Sequence, residues 1–558
     1  MALLFGHAPV VAPRAQSVQL IVQLRPGADI AAVVRGKPVQ IARALPEIGR
    51  YVVRVTRGAA AEARWQLLTD ARVLSVEDDR QIRAAQEPND PQFVRQWALQ
   101  AIQAPFAWEL VQGSASVVVA ILDSGIDFTH PDLAAHVLSP GCNVIADGAC
   151  PPAGRGTPAQ DLDGHGTAVA GITAAVTNNG FGIAGTAWQA SILPVRVLSN
   201  GQGVESDFIT GLLWAVDQGA KIINLSFNED CGVPESAAMR DAIGYAWSHG
   251  AVLIAASGND SGCSDGVYPA ADPRVLAVAS TDMDDRPSSF SNGGSWVRIA
   301  APGEKILTTT TDGRYVIVSG TSYAAPFVTG VAALLMAVPG ATNTSVVQWL
   351  TSTCDVPPGW DAKDYGCGRL NAYRAVALAV RGSDPHTSST APVTVHLAKG
   401  WNNILYLGPP RRVMTALASL QGKLGSVYTW DTVQGEWLAY LPGQPAASDI
   451  QILVERQAYW LYLNAPADLT MQPTGNDPPV QLTLAPGWNN VGLPPGPLPI
   501  PLQRFSRPIG AIWAWDPSIA AWRGFFVGAG TVSTLQSIQA TAAYWVYAPT
   551  TVTIRFAP

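Results

Sequence analysis

Residues 98–381 alternate between short apolar runs and helical patterns, and this alternation constrains the fold more than any other feature of the chain. Five runs are rich in aliphatic residues and carry few charges, namely VVVAIL at 117–122, SILPVRVL at 191–198, KIINLSF at 221–227, AVLIAAS at 251–257 and VLAVAS at 275–280. Such runs are typical of strands buried on both faces, as in a parallel sheet. With helical patterns between most of them, they predict an α/β domain with a doubly wound, mostly parallel sheet. In such folds the site lies beyond the carboxyl ends of the strands.

Changes of composition mark further units on either side of this domain. Residues 1–85 include a small α+β pattern, with three apolar strands and two helical stretches at 17–84. The segment 382–392, GSDPHTSSTAP, has the composition of a linker. The α/β domain is therefore expected to span 86–381.

Beyond the linker the chain contains an internal duplication. LAKGWNN at 397–403 returns as LAPGWNN at 484–490, and nine of the 18 tryptophans lie in this tail. Alternating apolar patterns and Gly/Pro turns predict two all-β modules, at 393–476 and 477–558. Exposed tryptophans could stack on sugars or a cell surface, but paired tryptophans in β modules are more often part of a core.

Charge and hydropathy exclude two classes of partner. The 35 Lys and Arg residues against 42 Asp and Glu residues give a net charge of −7, which offers no support for nucleic-acid binding. No apolar stretch approaches the length of a membrane-spanning helix. The first residues, MALLFGHAPVVAPRAQS, lack the basic start of a signal peptide, so the export route is not readable from them.

The cysteines indicate an oxidising compartment. All six lie between 140 and 370, and an even count in one region favours three disulfides over six buried thiols. We expect neighbours to pair, as Cys142–Cys150, Cys231–Cys263 and Cys354–Cys367. The second pair would join two loops that leave adjacent parallel strands.

Four polar residues occupy positions suited to nucleophilic catalysis. Asp123 follows the first buried run, Asn259 follows the fourth in Ser-Gly-Asn, and His165 opens a helical stretch in Gly-His-Gly-Thr. Ser322, in GTSYAAP, lies near the start of a long apolar helix, where backbone N–H groups favour negative charge. A hydroxyl nucleophile, an imidazole base, an orienting carboxylate and an oxyanion donor are the groups that serine hydrolysis needs.

With these motifs the chain resembles the subtilisin-like serine proteases, most closely the thermitase branch. The resemblance covers about 90–380 and rests on NDPQF, ILDSGIDFTHPDL, DGHGTAVAG, NNGFGIAGTA, INLSF, ASGN and SGTSYAAP. It implies that Asp123, His165 and Ser322 form a catalytic triad with Asn259 as oxyanion donor. It thus implies a secreted serine endopeptidase that cleaves proteins through an acyl-enzyme.

Departures from the family pattern leave these four groups intact. They concern the surrounding pocket, where the family usually has His, Met, Ser and His and this chain has Ala168, Tyr323, Ala325 and Phe327.

The resemblance also implies an edge strand that pairs with the substrate backbone, formed by Gly201, Gln202 and Gly203. It implies two walls of the primary specificity pocket, formed by Ser226, Phe227 and Asn228 and by Ala256, Ser257 and Gly258. Small and apolar walls suggest a preference for bulky apolar side chains.

A calcium site and an inhibitory propeptide are further implications of the resemblance. Oxygen ligands suit Ca²⁺, and the expected set comprises the side chains of Asp90, Asp132 and Asn179 with the carbonyls of Thr177, Phe181 and Ile183. The alternative is an ordinary polar turn. Residues 17–84 resemble the propeptide of a zymogen, with self-cleavage expected at about residue 85. The alternative there is an unrelated N-terminal domain.

Two other functions compete with a secreted, calcium-stabilised protease. One is an inactive scaffold whose Trp-rich tail binds carbohydrate or a cell surface. The other gives the tail the main role, as a carbohydrate- or cell-wall-binding module. Because all four catalytic residues are present, the protease hypothesis is favoured over the scaffold.

Overall fold

The computed structural model describes most of the chain in fourteen segments. They are residues 17–25, 27–45, 49–56, 59–78, 88–150, 156–385, 392–431, 435–444, 447–473, 481–493, 496–497, 509–526, 533–539 and 541–555. The cleavage position expected near residue 85 and the first 16 residues lie outside these ranges. The chain divides into two compact units, Met1–Arg83 and Ala84–Pro558.

The N-terminal unit is a four-stranded antiparallel sheet with two helices. Its elements are β1 (Ser17–Leu24), α1 (Ile30–Val34), β2 (Gln40–Leu45), β3 (Arg50–Thr56), α2 (Ala60–Leu68) and β4 (Val73–Asp78). The strand order is β2-β3-β1-β4, and Val22, Val33, Val53 and Leu67 are fully buried in the core. The sequence patterns do not predict β2. It is an edge strand whose residues are mostly exposed, so it lacks apolar alternation.

The second unit contains the predicted parallel sheet. Its strands are β5 (Val118–Asp123), β6 (Cys142–Asn143), β7 (Ser191–Arg196), β8 (Ile222–Leu225), β9 (Val252–Ala256), β10 (Val275–Thr281) and β11 (Ile299–Pro302). They lie in the order β11-β10-β9-β8-β5-β7-β6, and each neighbouring pair is parallel. The doubly wound α/β prediction is therefore confirmed.

Helices cover both faces of this sheet. They are α3 (Trp97–Ala101), α4 (Ala104–Trp108), α5 (Val144–Asp147), α6 (His165–Ala174), α7 (Glu205–Asp217), α8 (Ala237–Ser248), α9 (Thr321–Met336), α10 (Asn343–Ser352), α11 (Ala362–Tyr365) and α12 (Ala372–Arg381). In β5, Val119 and Ile121 pack into the core with α6 and α9, whereas Ala120 and Leu122 pack into the core with α7 and α8. This alternation explains why the run is apolar throughout.

A hairpin and three disulfides complete the framework around the site. Strands β12 (Ile306–Thr310) and β13 (Arg314–Val318) form an antiparallel pair. In the sequence this hairpin follows β11 and precedes α9. The disulfides are Cys142–Cys150, Cys231–Cys263 and Cys354–Cys367, which are the three pairs predicted. Among the described residues no helix is both long and apolar enough to cross a membrane.

The described residues of the tail are all-β apart from a short α-helix and a 3-10 helix at Ala418–Leu420, and the two halves have the same strand order. The first half comprises β14 (Val393–Leu397), β15 (Gly400–Leu405), β16 (Arg411–Arg412), α13 (Val413–Ala416), β17 (Leu424–Asp431), β18 (Glu436–Tyr440), β19 (Ile452–Leu453), β20 (Ala458–Leu463) and β21 (Ala467–Met471). The second comprises β22 (Gln481–Leu484), β23 (Gly487–Gly492), β24 (Gly496–Pro497), β25 (Ala511–Asp516), β26 (Ala521–Phe526), β27 (Ser537–Ile538), β28 (Ala543–Ala548) and β29 (Val552–Arg555). Their main sheets are β15-β20-β17-β18 and β23-β28-β25-β26.

Tryptophans pack the two halves of the tail against each other. The Trp430 and Trp437 rings lie 6.1 and 5.8 Å from the Trp545 ring of the other half. In the reciprocal contact, Trp460 lies 5.9 and 5.6 Å from Trp515 and Trp522. These contacts favour the interpretation that paired tryptophans stabilise the modules. Four rings are nevertheless exposed, those of Trp401, Trp437, Trp488 and Trp522.

The first β half also contacts the α/β domain. Ile452 is buried in the same apolar core as α9, and Val454 packs against that core. Gln103 donates a hydrogen bond of 3.1 Å from Nε2 to Oε2 of Glu455, a side chain that is 4% exposed. Thr415 donates to Asp284 at 2.6 Å. Both apolar and polar groups therefore bind this module to the α/β domain.

Candidate active site

The carboxyl end of β5 and the start of α6 bring Asp123 and His165 together. Asp123 is the last residue of β5 and is fully buried. His165 is the first residue of α6, and its Nδ1 lies 2.8 Å from Oδ1 of Asp123. Because a carboxylate can only accept, Nδ1–H is the donor, and Nε2 is left to act on a substrate. The backbone N–H of Ser124 donates to the same carboxylate oxygen at 2.7 Å.

The surroundings of His165 shift its pKa upward. Burial of the ring opposes protonation, but the charge of Asp123 and the hydrogen bond to it outweigh this effect, and Asp163 and Asp161 add to it. The imidazolium that forms during catalysis is therefore stabilised. The ring of Tyr323 packs against the imidazole, with 5.4 Å between ring centroids. Burial, together with the charges of Asp123 and Asp163, raises the pKa of Tyr323 to about 12, so its phenol stays neutral.

Ser322 is the second residue of α9. Its hydroxyl donates to the carbonyl of Ser226 at 3.1 Å, and the hydroxyl of Ser226 donates to the carbonyl of Ser322 at 2.9 Å. These reciprocal bonds fix the nucleophile beside one predicted wall.

The carboxamide of Asn259 has a fixed orientation. Its Oδ1 accepts from both the backbone N–H and the hydroxyl of Thr321, at 2.9 and 3.0 Å. The Nδ2 donor must therefore point the other way, and it lies 3.7 Å from where a Cβ on Gly320 would be. The hydroxyl of Thr321 also accepts from the N–H of Gly258 at 3.1 Å. Thr321 thus orients the donor that neighbours the nucleophile, a role that the sequence patterns do not predict.

The two predicted walls follow β8 and β9 at the same edge of the sheet. Ser226, Ala256 and Ser257 are buried. The ring of Phe227 packs against Phe208 of α7 at 5.6 Å, so its bulk lies toward the helix layer. Gly258 has a φ of 93°, and a Cβ there would lie 2.5 Å from Nδ2 of Asn228. Glycine is therefore needed where the Asn228 side chain crosses to the second wall.

The predicted edge strand lies in an exposed turn after β7. Backbone hydrogen bonds of 2.8 and 3.1 Å connect Ser199 and Gln202 in both directions. Gly201 has a φ of 72° at the turn, and a Cβ on Gly203 would lie 2.5 Å from the carbonyl oxygen of Val197. All three predicted residues, Gly201, Gln202 and Gly203, are exposed to solvent.

The predicted calcium loop places two buried carboxylates near each other. Asp90 accepts from the N–H groups of Asn178 and Asn179 at 2.8 and 3.2 Å. Asp132 accepts from Nδ2 of Asn179 at 3.0 Å, from the N–H of Ile183 at 2.8 Å and from the hydroxyl of Tyr315 at 2.7 Å. Burial, with a contribution from the charge of Asp132, raises the pKa of Asp90 to about 6.

These residues fit a hard cation. A Cβ on Gly182 would lie 1.9 Å from Oδ2 of Asp132, so the loop forms a cradle that only glycine leaves open. The described residues contain no group of three His, Cys, Asp or Glu side chains that could hold a metal, so a cation here would also need amide and carbonyl oxygens. The predicted set offers these from Asn179, Thr177, Phe181 and Ile183. Calcium accepts such mixed oxygen donors.

Comparisons with known proteins identify the family of the central part of the chain. The subtilase family model, Peptidase_S8, matches residues 114–373. Thermitase from Thermoactinomyces vulgaris is 44% identical over 291 residues, which are 52% of this chain and 99% of that protein. The chain belongs to the subtilase family. It is therefore a serine endopeptidase of the subtilisin type.

Two further relatives extend the comparison. A thermophilic serine proteinase from Bacillus sp. (strain AK1) is 41% identical over 295 residues, covering 52% of this chain and 70% of the relative. An extracellular protease from Xanthomonas campestris pv. campestris is 35% identical over 380 residues, covering 60% of this chain and 65% of the relative. Similarity to thermitase covers about half of the chain, so it does not describe the tail of this subtilase.

Proposed function

We propose that this subtilase hydrolyses peptide bonds in proteins, with Asp123, His165 and Ser322 as its triad and Asn259 as an oxyanion donor. The observation that carries the proposal is the 2.8 Å bond between Asp123 and His165 at the sheet edge where Ser322 and Asn259 also lie. In this role His165 Nε2 takes the proton of Ser322 as Oγ attacks the substrate carbonyl carbon. The Asp123 carboxylate accepts from Nδ1 of His165 and supports the imidazolium.

The remaining steps use the same groups. Nδ2 of Asn259 and the N–H of Ser322 donate to the oxyanion of the tetrahedral intermediate. The imidazolium then protonates the leaving amine, the C–N bond breaks and an ester to Ser322 remains. A water molecule gives its proton to His165 and attacks this ester, and Ser322 recovers its proton as the acid product leaves.

A casein-digestion assay on a matched pair of variants tests the assignment. Ser322→Ala should lower kcat by on the order of 10⁶, the magnitude known for this family and not one derived from this chain. The control, Ser116→Ala, removes an exposed hydroxyl that contacts Ser114 and should leave kcat unchanged. A serine-directed phosphonate should label the wild-type protein and Ser116→Ala but not Ser322→Ala. Comparable digestion by purified Ser322→Ala would refute the triad.

The protease is proposed to be a secreted, self-processed zymogen with residues 17–84 as its inhibitory propeptide. The separate compact core of the N-terminal unit supports this role, and the three disulfides support an extracellular location. Asp90 has to stay with the mature enzyme if it binds calcium, so cleavage is expected before it, within about five residues of 85. N-terminal sequencing of active enzyme is the measurement. An active enzyme that retains 17–84 covalently attached would contradict the propeptide role, and Ser322→Ala should stay uncleaved.

Calcium is proposed to bind at the loop that contains Asp90, Asp132 and Asn179. When bound it would supply positive charge between two buried carboxylates and stabilise the fold. The carbonyls of Thr177, Phe181 and Ile183 complete the proposed ligand set. Calorimetric titration of chelator-treated Ser322→Ala should detect one site that Asp132→Asn loses. A titration with no binding heat and no change in melting temperature would contradict it.

A second function is proposed for the tail, contact with a polysaccharide or cell surface. The exposed faces of Trp401, Trp437, Trp488 and Trp522 support it, because flat aromatic rings stack on sugar rings. Binding of the Ser322→Ala protein to insoluble cell-wall polysaccharide measures this function. Trp401 and Trp488 are suited to this test because their rings pack within their own halves. Replacing both with Ala should abolish retention, whereas replacement with Phe should preserve part of it. Equal retention of all these variants would contradict stacking.

A further inference from the structure

Asp161 is a buried carboxylate that the proposed mechanism does not use. It is 2% exposed, yet five hydrogen bonds satisfy its two oxygens. Oδ1 accepts from the hydroxyl of Ser124 at 2.9 Å and from the N–H groups of Asp163 and Gly164 at 3.0 Å each. Oδ2 accepts from the N–H and the hydroxyl of Thr167, at 2.9 and 2.5 Å. Both oxygens of this buried carboxylate are therefore satisfied by donors.

The five donors come from the two segments that carry the catalytic pair. Ser124 directly follows Asp123 at the end of β5, whereas Asp163, Gly164 and Thr167 flank His165 at the start of α6. One carboxylate therefore joins the end of a strand to the beginning of a helix. Every bond it makes is within two residues of Asp123 or His165.

Further bonds close a ring around the pair. The hydroxyl of Ser124 accepts from the N–H of Gly166 at 2.9 Å. The N–H of Ser124 donates to Oδ1 of Asp123, the same atom that binds Nδ1 of His165. A shift of Asp161 would thus move both partners of the catalytic hydrogen bond. A Cβ on Gly166 would lie 2.1 Å from the carbonyl oxygen of Gly125, so the two segments are already in close contact.

We propose that Asp161 is a positioning residue, which fixes the distance and angle between Asp123 and His165. The proposal rests on the proposed roles of these two residues. Its chemistry requires a carboxylate, because an amide has one acceptor oxygen and cannot accept from donors on both sides. In Asp161→Asn the amide N–H₂ group would face either the donors of Thr167 or the donors around Ser124. Two donors would then face each other in a buried place, and their repulsion would move the end of β5 away from the start of α6.

The negative charge of Asp161 also acts on His165. The ionisable groups that face the imidazole are Asp123 from β5, Asp161 and Asp163 from the preceding loop and Tyr323 from α9. Removing one negative charge favours the neutral imidazole. Asp161→Asn should therefore move the acid limb of the pH profile to lower pH, in addition to lowering the rate. A residue with only a structural role would not shift this limb.

The experiment measures kcat, KM and the pH profile on a soluble chromogenic peptide, with a melting curve for each variant. For Asp161→Asn, kcat should fall by on the order of 10²-fold, the effect of a displacement of about 1 Å between reacting groups. KM should stay within a few-fold of the wild-type value, because the walls of the cleft are not involved. The matched control is Asp127→Asn. Asp127 is equally buried, but its carboxylate accepts from Thr129, Gln160 and Asp312 instead, so kcat should change less than twofold.

A second variant decides the outcome if Asp161→Asn does not fold. Ser124→Ala removes one hydroxyl and leaves the other four bonds of Asp161 in place, so a smaller fall in kcat is expected, with KM unchanged. Wild-type kcat and an unshifted acid limb in folded Asp161→Asn, or wild-type kcat in folded Ser124→Ala, would overturn the proposal. So would an equal loss in Asp127→Asn. If Ser322→Ala is inactive while these variants are fully active, the triad stands and only the role of Asp161 is refuted.

Discussion

Removing the Cys231–Cys263 disulfide should destabilise the catalytic domain more than removing Cys142–Cys150. The first bond joins residues 32 apart in sequence and the second joins residues 8 apart. The entropy of loop closure in the unfolded chain then gives about 3.7 kcal/mol for the longer loop and about 2.5 kcal/mol for the shorter one. The pairs are well matched in burial, since Cys142 and Cys263 are buried and their partners are more exposed.

The assay is thermal unfolding of Cys→Ala double variants in the Ser322→Ala background, which prevents self-digestion. With an unfolding entropy of about 2.1 cal/mol/K per residue over roughly 300 residues, the longer loop corresponds to a Tm lower by about 6 °C and the shorter loop to about 4 °C. The difference is small enough to require both variants in the same buffer and at the same scan rate.

The order of the two effects is the decisive result. Equal losses, or a larger loss for Cys142–Cys150, would show that these bonds do not stabilise by restricting the unfolded chain. The longer loop also begins just after the Ser226 wall and ends just after the Gly258 wall. In the active background its removal should therefore raise KM, whereas loss of Cys142–Cys150 should leave KM unchanged.

Four further predictions concern the oxyanion donor, pH, calcium and the tail. Asn259→Ala should lower kcat by about 10²–10³-fold, the range established for loss of this donor in the family, with little change in KM. Steady-state kinetics measure both constants, and an unchanged kcat would contradict the role of Asn259 as an oxyanion donor. Because the pKa of His165 is raised and the base must be neutral, kcat/KM should increase as pH rises through a value above the ordinary histidine pKa; a plateau already reached at pH 6 would argue against it. When calcium is present at 100 times its dissociation constant, its binding should add about 2.7 kcal/mol to the free energy of unfolding. Chelation should therefore lower the Tm by about 4 °C, and Asp132→Asn should show no such difference. Glu455→Ala removes the buried carboxylate to which Gln103 donates and should cost about 1–3 kcal/mol, whereas the exposed Glu436→Ala should cost nothing measurable.

The buried strands could be predicted from the sequence because their composition is set by two apolar cores. The run at 117–122 corresponds to β5 (Val118–Asp123), and the run at 275–280 to β10 (Val275–Thr281). Strand β6 has only two residues, and β11 has the sequence IAAP with one bulky aliphatic side chain. Both strands are buried, but neither contains a run of aliphatic residues that predicts a strand.

The proposed catalytic residues could be picked out from the sequence because each lies in a local motif next to a strand end or helix start. The residues that position them could not. Thr321 orients Asn259 across 62 positions, and Asp161 reaches Ser124 across 37. Thr321 directly precedes Ser322 in GTS, and Asp161 lies four residues before His165 in DLDGH, so the sequence indicates that both lie near the site. It does not indicate which atoms they bind.

The contact between the tail and the catalytic domain is a second feature that could not be predicted from the sequence. The sequence predicts a linker and two β modules but gives no sign of this contact, in which Gln103 donates to Glu455 across 352 positions. Oε1 of Gln103 accepts from Asn371 at 2.9 Å, and Asn371 also donates to Asp355, which pairs with the fully buried Arg369. Glu455 also lies 3.8 Å from Arg456 of its own module, so groups from both sides of the contact hold this buried carboxylate. The first β module is therefore built to fold against the protease, and its removal would expose both a charged network and part of the core that holds α9.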